Sequence, residues 1–351
     1  MTAAKKKNSR RKQARFRSSR RKRIRNTVLL LLLLVVLGGT GIGAIYVLRN
    51  GTVFDKLEDA YVASREFSGG ITDLDSLRAD GFAKNLCVVV SDVPMDGVSL
   101  GENQKGLLLD LDDRKVLYSK QALQKVYPAS ITKIMTAMLA LKYGNMDDVV
   151  TITQENLNLE EGSQVCGFWA GDQVTMDQLL HCLLVYSGND AAAAIAEHVG
   201  GSTDGFVEMM NSYARELGCT GTHFTNPHGL QDENHYTTPY DIYLMLKEAL
   251  KYPEFTQITQ SGSYTVEYTH ADGSSASTTL LATDHYLTGE ATPPKNVTIL
   301  GGKTGTTDNA GNCLALLSQN AYGKPYISIV MGASTTDELY EQMSSLLQNI
   351  N

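Results

Sequence analysis

The sequence predicts an α/β fold: one antiparallel sheet built from both ends of a folded body, flanked by helices, with an all-helical insert between them. Two observations carry this prediction. Short strand-like runs occur near residues 106–118 and again after residue 263, while helical periodicity and helix caps fill the stretch between. A third sets the limits of the body: globular texture begins only at about residue 84, after segments of a different kind.

Residues 106–111 and 116–118 are apolar runs around Asp112-Asp113-Arg114-Lys115, the pattern of a hairpin. After Tyr127-Pro128-Ala129, Ser130 opens a helix whose buried face is Ile131, Ile134, Met135, Met138 and Leu139. Thr175 and Gln178 form a capping box ahead of a helix over 179–186. An Ala-rich helix over 191–199 ends at Gly200-Gly201, and another over 206–217 stops at Gly218. Thr238-Pro239 starts a further helix that ends before Pro253. Strands are then expected at 263–269, 297–300, 314–318 and 326–331, followed by a helix from about Thr336. There is no internal repeat.

Charge divides the chain. Of its 31 Lys and Arg, thirteen lie in residues 1–25 and one is Arg49, leaving 17 to face all 38 acidic residues beyond residue 50. Residues 27–48 carry no charge, and 28–37 is an unbroken run of Val and Leu. A helix of that length rises about 33 Å, enough to cross a bilayer. The basic arm before it places the N-terminus in the cytoplasm and the rest outside. The expected organisation is therefore a basic cytoplasmic tail (1–26), a single-pass transmembrane anchor (27–48), a stalk or linker (49–83) and an extracytoplasmic domain (84–351). A cleaved signal peptide is the competing reading; its basic region would be unusually long, and no convincing small-x-small cleavage site follows Leu37. Attraction to anionic lipid accounts for the arm without nucleic acid as a partner. Cys87, Cys166, Cys182, Cys219 and Cys313 include no C-x-x-C pair and are odd in number, so buried thiols are expected.

Three strings carry chemistry. Ser130-Ile131-Thr132-Lys133 sets a hydroxyl and an amine on one helix face. The S-x-x-K pattern also occurs at Ser9 and Ser19, so alone it says little. A serine nucleophile needs a base. Burial, the positive end of the helix and a second cation would make Lys133 a neutral one. Ser187-Gly188-Asn189 offers a hydroxyl to relay a proton to a leaving amine and an amide to grip a peptide bond. Ser318-Gln319-Asn320 matches the same pattern but reads as a turn between strands. Lys303-Thr304-Gly305, continuing to Thr306, follows a strand and is flanked by Gly301 and Gly302, which let a peptide approach the edge. Lys303 with the hydroxyls of Thr304 and Thr306 would hold a terminal carboxylate. The N–H groups of Ser130 and Thr306 would form an oxyanion hole.

S-x-x-K, S-x-N and K-T-G in this order resemble the signature of class A β-lactamases and penicillin-binding proteins. The sequence is more closely similar to the serine D-alanyl-D-alanine carboxypeptidases of peptidoglycan maturation. Pro128-Ala129-Ser130 with Lys133-Ile134-Met135-Thr136-Ala137, Ser187-Gly188-Asn189-Asp190-Ala191-Ala192, Asn226-Pro227-His228-Gly229-Leu230, His235-Tyr236-Thr237-Thr238 and Gly302-Lys303-Thr304-Gly305-Thr306-Thr307 carry that likeness over about residues 84–351. It implies a β-lactamase/transpeptidase-like fold, and catalytic roles for Ser130, Lys133, Ser187 and Asn189. Substrate binding would fall to Lys303, Thr304, Gly305 and Thr306. It further implies a peptidoglycan stem peptide as substrate, β-lactams as covalent inhibitors, and no cofactor. A β-lactamase, another amide hydrolase or endopeptidase on the same scaffold, and a non-catalytic wall-binding protein are the alternatives. No Glu-x-x-Leu-Asn string follows the second motif, so efficient β-lactam hydrolysis is not expected. His223, His228 and His235 lack H-E-x-x-H spacing, and structural hydrogen bonding is expected of them rather than metal binding.

Overall fold

The computed structural model describes residues 85–350. The predicted tail, membrane span and stalk lie outside the described residues. Among the described residues no helix is long and apolar enough to cross a membrane.

Strands β1 (Lys105–Asp110) and β2 (Lys115–Lys120) form the expected hairpin. They join β7 (Thr298–Thr307), β8 (Gly311–Gln319) and β9 (Pro325–Ala333) in an antiparallel sheet of order β2-β1-β9-β8-β7. Both ends of the body thus supply the sheet, as predicted. Alternation along the strands gives it two buried faces. Leu107, Leu109, Ala315, Leu317, Ile327 and Ile329 pack into the helical body. Leu108, Leu314, Leu316 and Val330 point the other way, against Leu339, Met343, Leu346 and Leu347 of the C-terminal helix α8 (Thr336–Leu347). β8 and β9, buried on both faces, read as continuous apolar runs for that reason.

The insert holds α1 (Lys133–Tyr143), α2 (Met176–His181), α3 (Asn189–Gly200), α4 (Thr203–Glu216), α5 (Pro239–Ala249) and α6 (Pro253–Thr259). It is not all-helical. β3 (Val149–Thr151), β4 (Gln173–Thr175), β5 (Ser263–Thr269) and β6 (Ser275–Leu281) make a second, four-stranded sheet. The run at 263–269, expected in the main sheet, belongs here. Its composition explains why: of its seven residues only Val266 is buried, so it cannot serve as the interior of a two-faced sheet. The helix begun at Thr238-Pro239 ends before Pro253 as expected, and the helical stretch expected over 179–186 does end at Tyr186. Pro253 does not simply end a helix but sits in the first turn of α6, where its missing N–H is harmless. α2 continues through Cys182–Tyr186 as a π-helical segment that ends on Ser187.

α1 is buried almost all round. Ile131, Ile134, Met135, Met138 and Leu139 are fully buried as predicted, but so are Lys133 and Thr136 on the polar side. A helix without a wet face is the centre of the molecule, and its first turn is where the site forms. The capping box of α2 is present in full: Gln178 N donates to Thr175 Oγ1 at 3.2 Å and Thr175 N donates to Gln178 Oε1 at 2.9 Å. Thr175→Ala removes one of these and should lower stability by about 1 kcal/mol. An unchanged denaturation midpoint would show the box to be idle.

Candidate active site

Ala129–Thr132 is a 3₁₀ turn feeding directly into α1, so Ser130 stands one turn before Lys133. Ala129 holds a left-handed φ of 47° and Ser187 one of 70°. Non-glycine residues rarely adopt that region; each costs on the order of 1–2 kcal/mol and must be held by its surroundings. The two strained residues flank the same cleft, one before the hydroxyl of Ser130 and one carrying its own.

The amine of Lys133 is the hub. Its Nζ lies 2.9 Å from Ser130 Oγ, 2.6 Å from Asn189 Oδ1 and 2.9 Å from the carbonyl oxygen of His228. Burial pushes its pKa well below the usual lysine range, and the charge of Lys303 pushes the same way; Cys166 and Asp190 oppose weakly. The partner set fits a neutral amine. Asn189 Oδ1 and the His228 carbonyl can only accept, and a neutral amine has just two hydrogens to give them. Its lone pair is then left for the proton of Ser130.

Asn189 opens α3, and a loop over residues 162–168 clamps that helix end. Asn189 N donates to the Gln164 carbonyl at 2.8 Å. The carboxylate of Asp190, fully buried, accepts from Cys166 N at 2.8 Å and Gly167 N at 3.2 Å. The middle residue of Ser187-Gly188-Asn189 is glycine because the loop leaves no room: a Cβ there would sit 2.3 Å from Cys166 Sγ. All five cysteines are buried free thiols.

Lys303-Thr304-Gly305 lies within β7 itself, paired to Ala315, Leu314 and Cys313 of β8, not in a loop after a shorter strand. A bulge between Ile299 and Gly301 had hidden the continuity. A Cβ on Gly305 would fall 2.9 Å from Ser130 N, so the strand lies directly on the Ser130 turn. Ser130, Ser187, Asn189, Thr304, Gly305 and Thr306 line one cleft of about 310 Å³. A larger cavity of about 630 Å³ near Lys105, Lys125 and Tyr236 touches none of the three motifs. Lys303 departs from its expected place. It is 1 % exposed, its ammonium donates to the Thr304 carbonyl at 3.0 Å, and it is not among the residues that line the cleft. Burial brings its pKa down to about 7, against the upward pull of Asp284.

The histidines are bonded within the fold. His235 accepts from Thr225 N on Nδ1 at 3.0 Å, which leaves Nε2–H to donate to Thr132 Oγ1 at 2.8 Å. His228 accepts from Leu230 N on Nδ1 at 3.2 Å. Burial holds them neutral, near pKa 4 and 3 respectively. Among the described residues no group of three or more His, Cys, Asp or Glu is arranged to hold a metal ion. Sequence reasoning assigned no role to the His228 carbonyl, Asp190 or the 162–168 loop. The strings Asn226-Pro227-His228-Gly229-Leu230 and Asn189-Asp190 were the visible signal for the first two.

The fold is of the β-lactamase/transpeptidase-like class, and the three motifs meet at one cleft in it. The chain is similar to the Streptomyces K15 DD-transpeptidase, with a TM-score of 0.65 and 27% identity, covering 74% of this chain and 98% of that one. It is 36% identical over 251 residues to the D-alanyl-D-alanine carboxypeptidase DacF of Bacillus subtilis, covering 70% of this chain. It is 31% identical over 237 residues to a D-alanyl-D-alanine endopeptidase of Pseudomonas aeruginosa, covering 65% of this chain and 72% of that one. Residues 101–335 match the family model of peptidase S11, described as D-alanyl-D-alanine carboxypeptidase. The chain belongs to that family. The match spans 61% of the length of the Bacillus relative.

Gly188→Ala should displace the 162–168 loop and cut the rate of acylation by a fluorescent penicillin at least about tenfold, since a contact near 2.3 Å cannot be accommodated without movement. Adding Cys166→Ala, which removes the nearer of the two obstructing atoms and leaves Asp190 Oδ1, should restore part of it. A single variant that acylates normally would mean that the loop does not hold Asn189 in place.

Proposed function

We propose that this protein is a serine D-Ala-D-Ala carboxypeptidase that removes the terminal D-alanine from peptidoglycan stem pentapeptides. The observation that carries the proposal is the Lys133 amine, buried, 2.9 Å from Ser130 Oγ, with acceptor-only partners for both hydrogens of its neutral form.

Ser130 Oγ attacks the carbonyl carbon of the penultimate D-alanine, and its proton passes to Lys133. The N–H groups of Ser130 and Thr306 receive the developing oxyanion. Asn189, whose Oδ1 is taken by Lys133, keeps its amide N–H₂ for a substrate carbonyl. The terminal carboxylate rests on the hydroxyls of Thr304 and Thr306 within the field of Lys303. Ser187 relays the proton held by Lys133 to the nitrogen of the departing D-alanine, and the C–N bond breaks. Water then gives a proton to the neutral Lys133 as it attacks the remaining ester, and that proton returns to Ser130 Oγ as the ester bond breaks. A β-lactam enters as a substrate mimic and leaves an acyl-enzyme that hydrolyses slowly. An amine in place of that water would give transpeptidation, and a cross-linked peptide in place of the pentapeptide would give endopeptidase cleavage.

The charge division of the sequence supports a single-pass arrangement: residues 1–26 cytoplasmic, 27–48 in the membrane, 49–83 a stalk, and the enzyme domain from 84 facing the wall.

Incubation with a peptide ending in D-Ala-D-Ala, followed by mass analysis of peptide and protein, tests the reaction. Loss of one alanine and a transient acyl-protein are expected; an intact peptide with no adduct would overturn it. Ser130→Ala should abolish labelling by a fluorescent penicillin while circular dichroism stays native, and persistent labelling would place the nucleophile elsewhere. The pH dependence follows from the two lysines. Acylation needs Lys133 neutral and Lys303 protonated, so the rate should rise through the depressed Lys133 pKa and fall as Lys303 loses its proton near pH 7. A rate that climbs steadily to pH 10 would contradict that assignment.

A further inference from the structure

Asp284 lies between β6 and the short helix α7 (His285–Thr288), away from the three motifs in sequence. It is 5 % exposed. Its Oδ1 accepts from Tyr286 N at 3.0 Å and from the Tyr340 hydroxyl at 3.2 Å, and that hydroxyl in turn accepts from His285 N at 2.8 Å. The carboxylate plane is therefore fixed. Its other oxygen, Oδ2, is buried without a hydrogen-bond partner. Asp284 lines a cavity of about 10 Å³ together with Gly302 and Thr304, the two residues on either side of Lys303 in β7. That volume matches one water molecule. The Lys303 ammonium curls back onto the Thr304 carbonyl at 3.0 Å, so cation and cavity share the same stretch of backbone.

Capping α7 does not call for a charge, because asparagine caps a helix as well as aspartate does. A buried carboxylate with a bare oxygen is costly unless a cation compensates it. We propose that Asp284 is a positioning residue of the active site: through one water held between its Oδ2 and the Thr304 segment of β7, it keeps Lys303 in the cationic form that a substrate carboxylate requires. This rests on the carboxypeptidase reading above.

The assignment explains how two buried lysines in one site take opposite states. Burial drives both toward neutrality. Lys133, on α1, also feels the positive charge of Lys303, with Asp190 on α3 and Cys166 on the 162–168 loop opposing. Lys303, on β7, feels the negative charge of Asp284. Asp284 itself is raised by burial and lowered by its bonds to Tyr286 N and the Tyr340 hydroxyl on α8, and by His285 and Lys303. The carboxylate thus pulls Lys303, and not Lys133, toward its charged form.

The test is the pH profile of acylation by a fluorescent penicillin, measured on the full chain. Asp284→Asn keeps the cap and removes the charge. The alkaline limb should move about one unit or more toward low pH, and the rate at pH 7 should fall about fivefold. Asp284→Ser, smaller and also a capping residue, should give the same shift. Tyr340→Phe removes one bond to Oδ1 but keeps the carboxylate, so it should move the alkaline limb by much less than either Asp284 variant. An alkaline limb that stays put in both Asp284 variants, or that moves equally in Tyr340→Phe, would overturn the assignment and leave the carboxypeptidase reading standing. A wild-type chain that forms no acyl-enzyme at any pH would remove both.

Discussion

The site depends on an amine whose burial disfavours its charged form. Lys133 stands in the first turn of a helix buried from residue 133 to residue 140, and it is itself fully buried. Its two acceptor-only neighbours come from distant parts of the chain, Asn189 at the start of α3 and the carbonyl of His228. Each of the other arrangements serves that placement. The clamp of Asp190 on residues 166 and 167 fixes the start of α3. Thr132 to His235, and Thr136 to the Pro227 carbonyl at 2.5 Å, tie the 225–235 segment to the same helix. A serine hydroxyl becomes a useful nucleophile only beside such a base.

The three motifs are brought together by two different means. Ser130 and Lys133 share one turn of chain. Ser187 and Asn189 reach them through helix packing in the insert, and Lys303 to Thr306 through the edge strand of the sheet, where Gly305 permits near-contact with the Ser130 backbone. The cleft is thus a seam between the two halves of the body, with an extended strand on one wall and helix starts on the other. That geometry suits a peptide laid along β7 with its reacting carbonyl over Ser130.

Much of this was legible in the sequence, and for physical reasons. Helix limits set by caps and glycines, such as Thr175, Gly201, Thr238 and Gly218, are local and were read correctly. The core face of α1 followed from periodicity. What failed was long-range. β3, β4 and β6 are short or polar, and their pairing with β5 depends on contacts that no local pattern announces. β7 was cut short because three glycines and a bulge break the strand signal where function requires close approach. Motif spacing supplied the members of the site, but the burial of Lys303 and the main-chain carbonyl of His228 beside Lys133 are properties of packing alone.

The most direct measurement is the titration of Lys133 itself, by NMR of a chain carrying ¹³Cε-lysine, with the signal assigned by its loss in Lys133→Met. A signal that stays at the neutral-amine position from pH 8 to pH 11 is expected, with any transition well below the ordinary lysine range. A midpoint near pH 10.4, the value of a solvated lysine, would mean that the amine is charged where the chemistry needs it bare.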